Sequence, residues 1–121
     1  MRLLVCGGRN YDDQAHVDRV LDAVWAECRG ALTIIHGQAS GADACANAWA
    51  LAKRAAGAAV GTDTYGAEWG RYGPAAGPRR NQRMIDEGRP DRAVAFPGGR
   101  GTADMVRRLR AYRIPVEEVA P

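Results

Sequence analysis

A chain of 121 residues is the length of a single domain, and we expect residues 1–121 to form one. Its 46% hydrophobic and 26% charged residues are typical of a globular protein and argue against disorder. No apolar run approaches the roughly 20 residues of a membrane span, and the first residues lack the pattern of a signal peptide, so we expect a cytoplasmic location with no membrane partner.

Charge and cysteine content narrow the class of protein further. The formal net charge is +3, and Lys53 is the only lysine among 17 basic residues. Arginine is suited to planar recognition of phosphate, but basic and acidic residues are interleaved and no nucleic-acid motif appears, so nucleic acid is not the expected partner. The three cysteines and two histidines are too scattered for zinc spacing, which predicts no metal. The odd cysteine count and an expected reducing compartment imply no disulfide framework, and no cofactor is expected.

Apolar runs alternate with amphipathic segments along the whole chain. Strands are predicted at 2–6, 31–35, 58–64, 92–96 and 116–119, and helices at 14–28, from about 41 to 56, at 79–87 and at 103–112. Asp12 and Asp13 are candidate caps of the first helix. The second helix is expected to bury Ala42, Cys45, Trp49, Ala52 and Ala56, and the last helix to turn Tyr112 inward. Residues 65–78, rich in glycine and proline, are predicted to be a long functional loop.

Continuous apolar strands that alternate with helices indicate a parallel sheet covered on both faces. The expected fold class is α/β, a Rossmann-like three-layer α/β/α sandwich. Its mainly parallel five-stranded sheet should have the strand order 3-2-1-4-5.

Three of the predicted strands end in glycine followed by a helix. These segments are Gly7-Gly8-Arg9, Gly37 with Ser40-Gly41, and Pro97-Gly98-Gly99-Arg100-Gly101-Thr102. In a parallel sheet all three loops lie at the carboxyl edge, where glycine lets a phosphate approach the backbone and a helix N-terminus offers free N–H groups. Neither a Walker A sequence nor a GxGxxG pattern is present, which disfavours ATP hydrolysis and NAD chemistry.

The run from Pro97 to Thr102 resembles the PGGxGT signature of the SLOG superfamily, which includes the Lonely Guy phosphoribohydrolases and the DNA-processing Smf proteins. The resemblance to the small YspA-type branch covers nearly the whole chain. It includes Val5 to Arg9, Ile35-His36-Gly37, Ser40 to Asp43, Glu68-Trp69, Ala76-Gly77-Pro78, Arg80-Asn81, Met84 and Ala95-Phe96-Pro97. It implies a Rossmann-like fold that binds nucleotides or molecules derived from them.

In the hydrolases of that superfamily the signature continues to a catalytic glutamate, which works with an upstream arginine. The arginine corresponds to Arg80 here, but the glutamate position is Met105, and Asp104 is turned by about 100° from it on a helix. The leading hypothesis is therefore a protein that binds a nucleotide as sensor, carrier or sequestering module. An N-glycosidic hydrolase, with Asp43, Asp104 or Glu68 as its acid or base, and single-stranded DNA binding are the alternatives.

Several side chains have both a ligand-binding and a structural interpretation. Arg80 and Asn81 are expected to contact phosphate or ribose, and Asp43 either binds a ribose hydroxyl or caps its helix. Arg9 is a candidate phosphate partner, Trp69 either stacks on a base or braces its loop, and Arg100 either binds or faces solvent. His36 is expected to support a turn, and Trp25 and Trp49 to lie in the core. The ligand, whether AMP, GMP, ADP-ribose or a cyclic nucleotide, is left open, and a homodimer is expected.

Overall fold

The computed structural model describes every residue from Met1 to Pro121, and it consists of five strands and five α-helices. The strands are β1 (Arg2–Cys6), β2 (Leu32–His36), β3 (Val60–Thr64), β4 (Arg92–Ala95) and β5 (Val116–Glu118). The helices are α1 (Gln14–Glu27), α2 (Ala42–Ala55), α3 (Trp69–Tyr72), α4 (Ala76–Asp86) and α5 (Arg100–Ala111), with a 3₁₀ turn at Gly73–Ala75.

All five strands are parallel, and their order is β3-β2-β1-β4-β5. The predicted fold class and strand order are thus confirmed. β1 lies at the centre, between β2 and β4, and its residues Leu3, Leu4 and Val5 are completely buried. The order reverses between β1 and β4, so the loops that follow these two strands diverge to opposite faces of the sheet.

Alternate residues of the central strand feed two separate cores, one on each face of the sheet. Leu3 and Val5 pack with α1 and α2, in a cluster that includes Phe96 and Trp49. Leu4 and Cys6 pack with α4 and α5, in a second cluster. This alternation, which follows from the two-residue period of a strand, produces the three-layer sandwich. None of the helices is both long and apolar enough to cross a membrane.

Helix α1 begins where its capping residue predicts. The side chain of Asp13 accepts a hydrogen bond of 3.1 Å from the backbone N–H of His16, so Asp13 rather than Asp12 is the N-cap. Trp25, expected in the core, is only partly buried against the first cluster, whereas Trp49 is 3% exposed.

The residues predicted to be buried are wrong in the last turn of α2 and at the end of α5. Ala52 and Ala56 are exposed, and the buried face of α2 includes Ala46 and Ala50 instead. The last turn of α2 extends beyond the hydrophobic core, so its residues face solvent. Tyr112 is 55% exposed, and its hydroxyl lies 2.9 Å from Nε2 of Gln82 on α4.

The segment predicted to be a long loop contains α3, the 3₁₀ turn and the first turn of α4. Helix α4 begins at Ala76 rather than at residue 79, and α5 begins at Arg100 rather than at residue 103. Glycine and proline have low helix propensity, which favoured a loop, but proline is tolerated in a first turn because its missing N–H has no intrahelical partner there. Pro74 and Pro78 both occupy such early positions.

Candidate functional site

A cavity of about 770 Å³ opens at the carboxyl edge of the sheet, where the loops after β1, β2 and β4 meet. Its wall contains a large part of the predicted ligand-binding set. These residues are Gly7, Gly8, Arg9, Asp43, Trp69, Arg80, Asn81, Gly99, Arg100, Gly101 and Thr102. The catalytic candidate Asp104 also lines it, but Glu68 does not. The topology thus brings together residues that are up to about 95 positions apart in the chain.

The glycines after β1 allow other backbone segments to approach closely. A Cβ on Gly7 would lie 2.5 Å from Cβ of Ala42, and a Cβ on Gly8 would lie 2.9 Å from the carbonyl oxygen of Pro97. Gly8 also donates to the Pro97 carbonyl at 2.9 Å and accepts from the N–H of Ala42 at 3.1 Å. These two residues therefore join the β1 loop to the start of α2 and to the PGGRGT segment.

Five of the predicted ligand-binding residues lie behind the cavity wall: Gly37, Ser40, Gly41, Pro97 and Gly98. Gly41, at φ +78°, packs against the backbone of the β1 loop, and the Ser40 hydroxyl donates to the Arg9 carbonyl at 3.1 Å. A Cβ on Gly98 would meet Thr102 and Gly8. Their observed contacts are structural, since they hold the loops together.

The first turn of α5 presents backbone donors that the protein itself does not use. Gly99 is the N-cap and has no side chain to satisfy them, and the first intrahelical bond runs from Ala103 to the Gly99 carbonyl. The N–H groups of Arg100, Gly101 and Thr102 have no partner in the protein. Gly99 and Gly101 have open space where a Cβ would stand, so this turn faces the cavity without obstruction.

Arg80 is a half-buried cation rather than a solvated helix charge. Its Nη1 donates to the Gly37 carbonyl at 2.6 Å and its Nε donates to Oδ1 of Asn81 at 3.1 Å. The guanidinium group packs closely over Gly37, since a Cβ there would lie 2.7 Å from Cζ of Arg80. Burial lowers the pKa of Arg80, and the nearby charge of Arg9 acts in the same direction, although Asp43 opposes it.

Asn81 and Asp104 form a buried polar link between α4 and α5. The Nδ2 group of Asn81 donates to the Gly101 carbonyl at 3.2 Å and to Oδ2 of Asp104 at 3.0 Å. Asp104 also accepts from Arg107 at 2.5 Å and from Arg108 at 2.8 Å. Burial alone would raise the pKa of Asp104, but the hydrogen bonds from Arg108 and Asn81 hold it below its usual value. Asp104 is thus kept as a carboxylate, which is unsuited to donate a proton.

Asp43 organises the loop after β2. One carboxylate oxygen accepts from the N–H groups of Gly37 and Ala39, at 3.0 and 3.2 Å, so Asp43 supports this loop instead of capping its own helix. Burial raises the pKa of Asp43, although these hydrogen bonds and the charge of Arg80 act in the opposite direction. His36 supports the same turn, since its Nδ1 accepts from Gln38 at 3.1 Å and its Nε2 lies 3.0 Å from Asn47.

Arg9 and Trp69 meet at the rim of the cavity. The guanidinium carbon of Arg9 lies 4.9 Å from the centre of the indole ring, a cation–π contact. The far edge of the ring lies 3.2 Å from the place where a Cβ of Gly77 would be. Trp69 therefore spans from the β1 loop to the first turn of α4 and is 46% exposed.

Two sulfur-containing residues contribute to the buried part of the cavity wall. Cys6 is 8% exposed, and burial, with the negative charges of Asp43 and Glu118, raises its pKa to about 12. A thiol with this pKa is protonated at neutral pH and is a poor nucleophile. Met105, at the glutamate position of the hydrolase signature, is 1% exposed and belongs to the core on this face. No three metal-ligating side chains converge anywhere in the structure.

The structure adds cavity residues that the sequence argument did not assign to the site. Pro74, Gly77 and Pro78 line it because residues 65–78 fold over the edge of the sheet. Arg107 also lines it, seven residues after Arg100 on the same helix. This spacing, two helical turns, was the signal that would have identified Arg107.

Comparison with known proteins agrees with this architecture. Residues 1–72 match the YspA, cpYpsA-related SLOG family, and the chain belongs to that family. It is similar to the Gene 61 protein of Mycobacterium phage D29, with 36% identity over 118 residues, which is 95% of this chain and 93% of that protein. Membership of this family associates the fold with nucleotide-related ligands.

Proposed function

We propose that the protein binds a nucleotide or a nucleotide-derived molecule in the cavity at the carboxyl edge, and that it does not cleave it. The main support for this proposal is the first turn of α5. There the N–H groups of Arg100, Gly101 and Thr102 lie at the wall of the cavity and have no hydrogen-bond partner in the protein. Such a turn attracts anions because its free donors and the positive end of the helix dipole act together.

The charge and volume of the cavity support the same proposal. Four arginines line it, Arg9, Arg80, Arg100 and Arg107, against two aspartates. Both aspartates are engaged in hydrogen bonds within the protein, whereas Nη2 of Arg80 has no partner in it. A volume of about 770 Å³ lies within the range of small-ligand sites, which is about 300–1,000 Å³. We assign the phosphate to the α5 turn and the base and sugar to the side of Trp69 and Pro74.

Substitution of Gly99 by valine tests this assignment. A Cβ at Gly99 meets no atom within 4 Å, so Gly99→Val should fold normally while its side chain projects into the phosphate position. We expect isothermal calorimetry to show at least a tenfold loss of affinity, since hydrogen bonds to a charged group contribute about 1.5–3 kcal/mol each. The probes are AMP, GMP, CMP and ADP-ribose.

Gly61→Val is the matched control, because a Cβ at Gly61 is equally free of contacts and the residue lies in the edge strand β3. It should leave affinity unchanged. Equal affinity of the wild type and a folded Gly99→Val variant would contradict the phosphate assignment. Native mass spectrometry of freshly purified protein would identify a retained nucleotide directly.

The position and burial of Asp43 favour the alternative function, hydrolysis of an N-glycosidic bond. Asp43 lines the cavity and its pKa is raised by burial, as expected for a group that could act as an acid. Against it, one of its oxygens is held by two backbone N–H groups, and position 105 carries methionine. We expect no release of free adenine, guanine or cytosine from nucleoside monophosphates over hours, as followed by chromatography. Base release that is abolished in Asp43→Asn or Asp104→Asn would establish the hydrolase instead.

A further inference from the structure

A second cleft, of about 530 Å³, lies on the other side of Arg80 from the cavity described above. Arg80 lines both, so its side chain forms part of the wall of each. Two of its three nitrogens are bound to Gly37 and Asn81, and Nη2 has no partner in the protein. The two clefts are therefore joined by a fixed positive charge with a free donor.

The second cleft is lined by Arg79, Arg80 and Arg83 together with Tyr72, and Arg71 stacks on the same tyrosine ring outside the lining. The guanidinium carbons of Arg79 and Arg71 lie 4.3 and 4.9 Å from the centre of the Tyr72 ring. Arg83 also lines the cleft and contacts the ring of Tyr65 at 5.4 Å. Stacking on a ring orients a guanidinium and leaves its N–H edge available.

The carboxylates nearby leave much of this positive charge unpaired. Arg83 pairs with Glu87 at 2.9 Å, but neither Arg71 nor Arg79 forms an ion pair, and Glu68 is the one carboxylate that lines the cleft. Two cations on one ring raise the local positive potential, and an anion bound beside them is attracted by both charges. The arrangement suits a phosphate, which accepts hydrogen bonds from planar guanidinium groups.

We propose that this cleft is a second phosphate site, and that the ligand carries two phosphates which flank one nucleoside. This inference rests on the proposed function, since the first phosphate is the one assigned to the α5 turn. The second phosphate passes Arg80 and reaches Arg79 beside the ring of Tyr72. A 3′-phosphorylated nucleotide and a short oligonucleotide share this chemistry, whereas a simple monophosphate leaves the second cleft empty.

The experiment compares matched probes on the wild type and on Arg79→Gln. The probes are nucleoside 5′-monophosphates, the corresponding 3′,5′-bisphosphates and the 5′-phosphorylated dinucleotides, each with adenine, guanine and cytosine. For the wild type we expect the probes with two phosphates to bind about 10- to 100-fold more tightly than the monophosphate. Arg79→Gln should remove this gain and leave monophosphate affinity unchanged. Arg79→Ala, which removes the whole side chain from the cleft, should behave in the same way.

Arg29→Gln is the control, because it makes the same change in charge at an exposed residue after α1, at the opposite edge of the sheet. A plot of log affinity against log salt for the dinucleotide should lose about 0.7 in slope in Arg79→Gln but not in Arg29→Gln. If the dinucleotide binds more tightly than the bisphosphate, the second phosphate belongs to an oligonucleotide. If the two probes bind equally well, the second phosphate is a terminal 3′-phosphate.

Equal affinity of the wild type for all three kinds of probe would overturn the second site and leave the proposed function standing. A gain that survives in both Arg79→Gln and Arg79→Ala would overturn it as well. If no probe binds at all, the proposed function fails first and the inference fails with it.

Discussion

Asp104 shows how a single side chain next to a signature position can be structural. Its carboxylate accepts hydrogen bonds from Asn81, Arg107 and Arg108, and its side chain is 15% exposed. The hydrogen bond from Asn81, on α4, holds the first turn of α5, with its free N–H groups, against α4, and the two arginines neutralise the carboxylate from within α5. The charge of Asp104 therefore supports the geometry of the proposed phosphate site from behind.

We expect Asp104→Asn to lower the free energy of unfolding by about 1–2 kcal/mol at pH 7, because hydrogen bonds to a charged group are lost. The pKa of Asp104 is lowered in the folded protein, so its contribution is present above the unfolded pKa of about 3.9 and is lost as the pH falls through the folded value. Urea unfolding at pH 7 and pH 3 should show a difference between variant and wild type that shrinks at the lower pH. A difference independent of pH would contradict an electrostatic role.

Glycines in similar glycine-rich loops have different structural roles, and the sequence alone does not distinguish these roles. Gly7 and Gly8 are in van der Waals contact with neighbouring segments, whereas Gly99 and Gly101 face open space. All four lie in glycine-rich segments that follow a strand, so the local sequence pattern is similar, although Gly101 is already in the first turn of α5. Only the packing of α2 and of the PGGRGT segment on the β1 loop separates them.

At the scale of elements, the junction of β1 and α2 depends on the absence of a side chain at Gly7. Gly7→Ala would place a Cβ 2.5 Å from Cβ of Ala42 and 2.9 Å from Cβ of Phe96. We expect a loss of about 1–3 kcal/mol in unfolding free energy, the usual cost of overpacking. Gly61→Ala, where the added Cβ meets no atom, is the control and should be neutral or slightly stabilising. Thermal or urea unfolding followed by circular dichroism would measure both.

The strands were predicted well because β1, β2 and β4 are largely buried on both faces and are rich in apolar residues, with Thr33 the one polar residue inside such a run. The region from Tyr65 to Pro78 was not, since its glycines and prolines indicate a loop locally while tertiary contacts stabilise two short helical turns. Within the site, the sequence identified the glycine loops and Arg80. It did not reveal that Asn81 is already bound to Gly101 and Asp104, because these partners are 20 and 23 residues away in the chain. It also left open whether Asp43 binds a ligand or has a structural role, although its partners Gly37 and Ala39 are close in sequence.

At the scale of the whole molecule, we expect a homodimer, and the outer face of α2 offers a place for the contact. Ala44, Ala48, Leu51 and Ala55 are exposed there, and Leu51 is 52% exposed. Alanines spaced by three or four residues form a shallow surface on which a second helix can pack closely. Light scattering at micromolar concentration should give twice the 13.0 kDa chain mass.

Leu51→Glu should reduce the measured mass to that of the monomer while the cavity remains intact. Leu51 contributes no atom to the cavity, so nucleotide affinity is not expected to change. A monomer mass for the wild type would contradict the expected dimer.

The two ends of the chain lie at different distances from the cavity, which matters for attaching the protein to a surface in a binding measurement. Met1 lies at the amino edge, where its amine donates to the Ala31 carbonyl at 2.8 Å, on the side away from the cavity. Val119 and Pro121 instead lie beside Gly98 and Gly99, in a small depression behind the phosphate turn. A surface or fluorophore attached at residue 1 leaves the mouth of the site accessible, whereas one attached at residue 121 crowds the turn whose occupancy is to be measured.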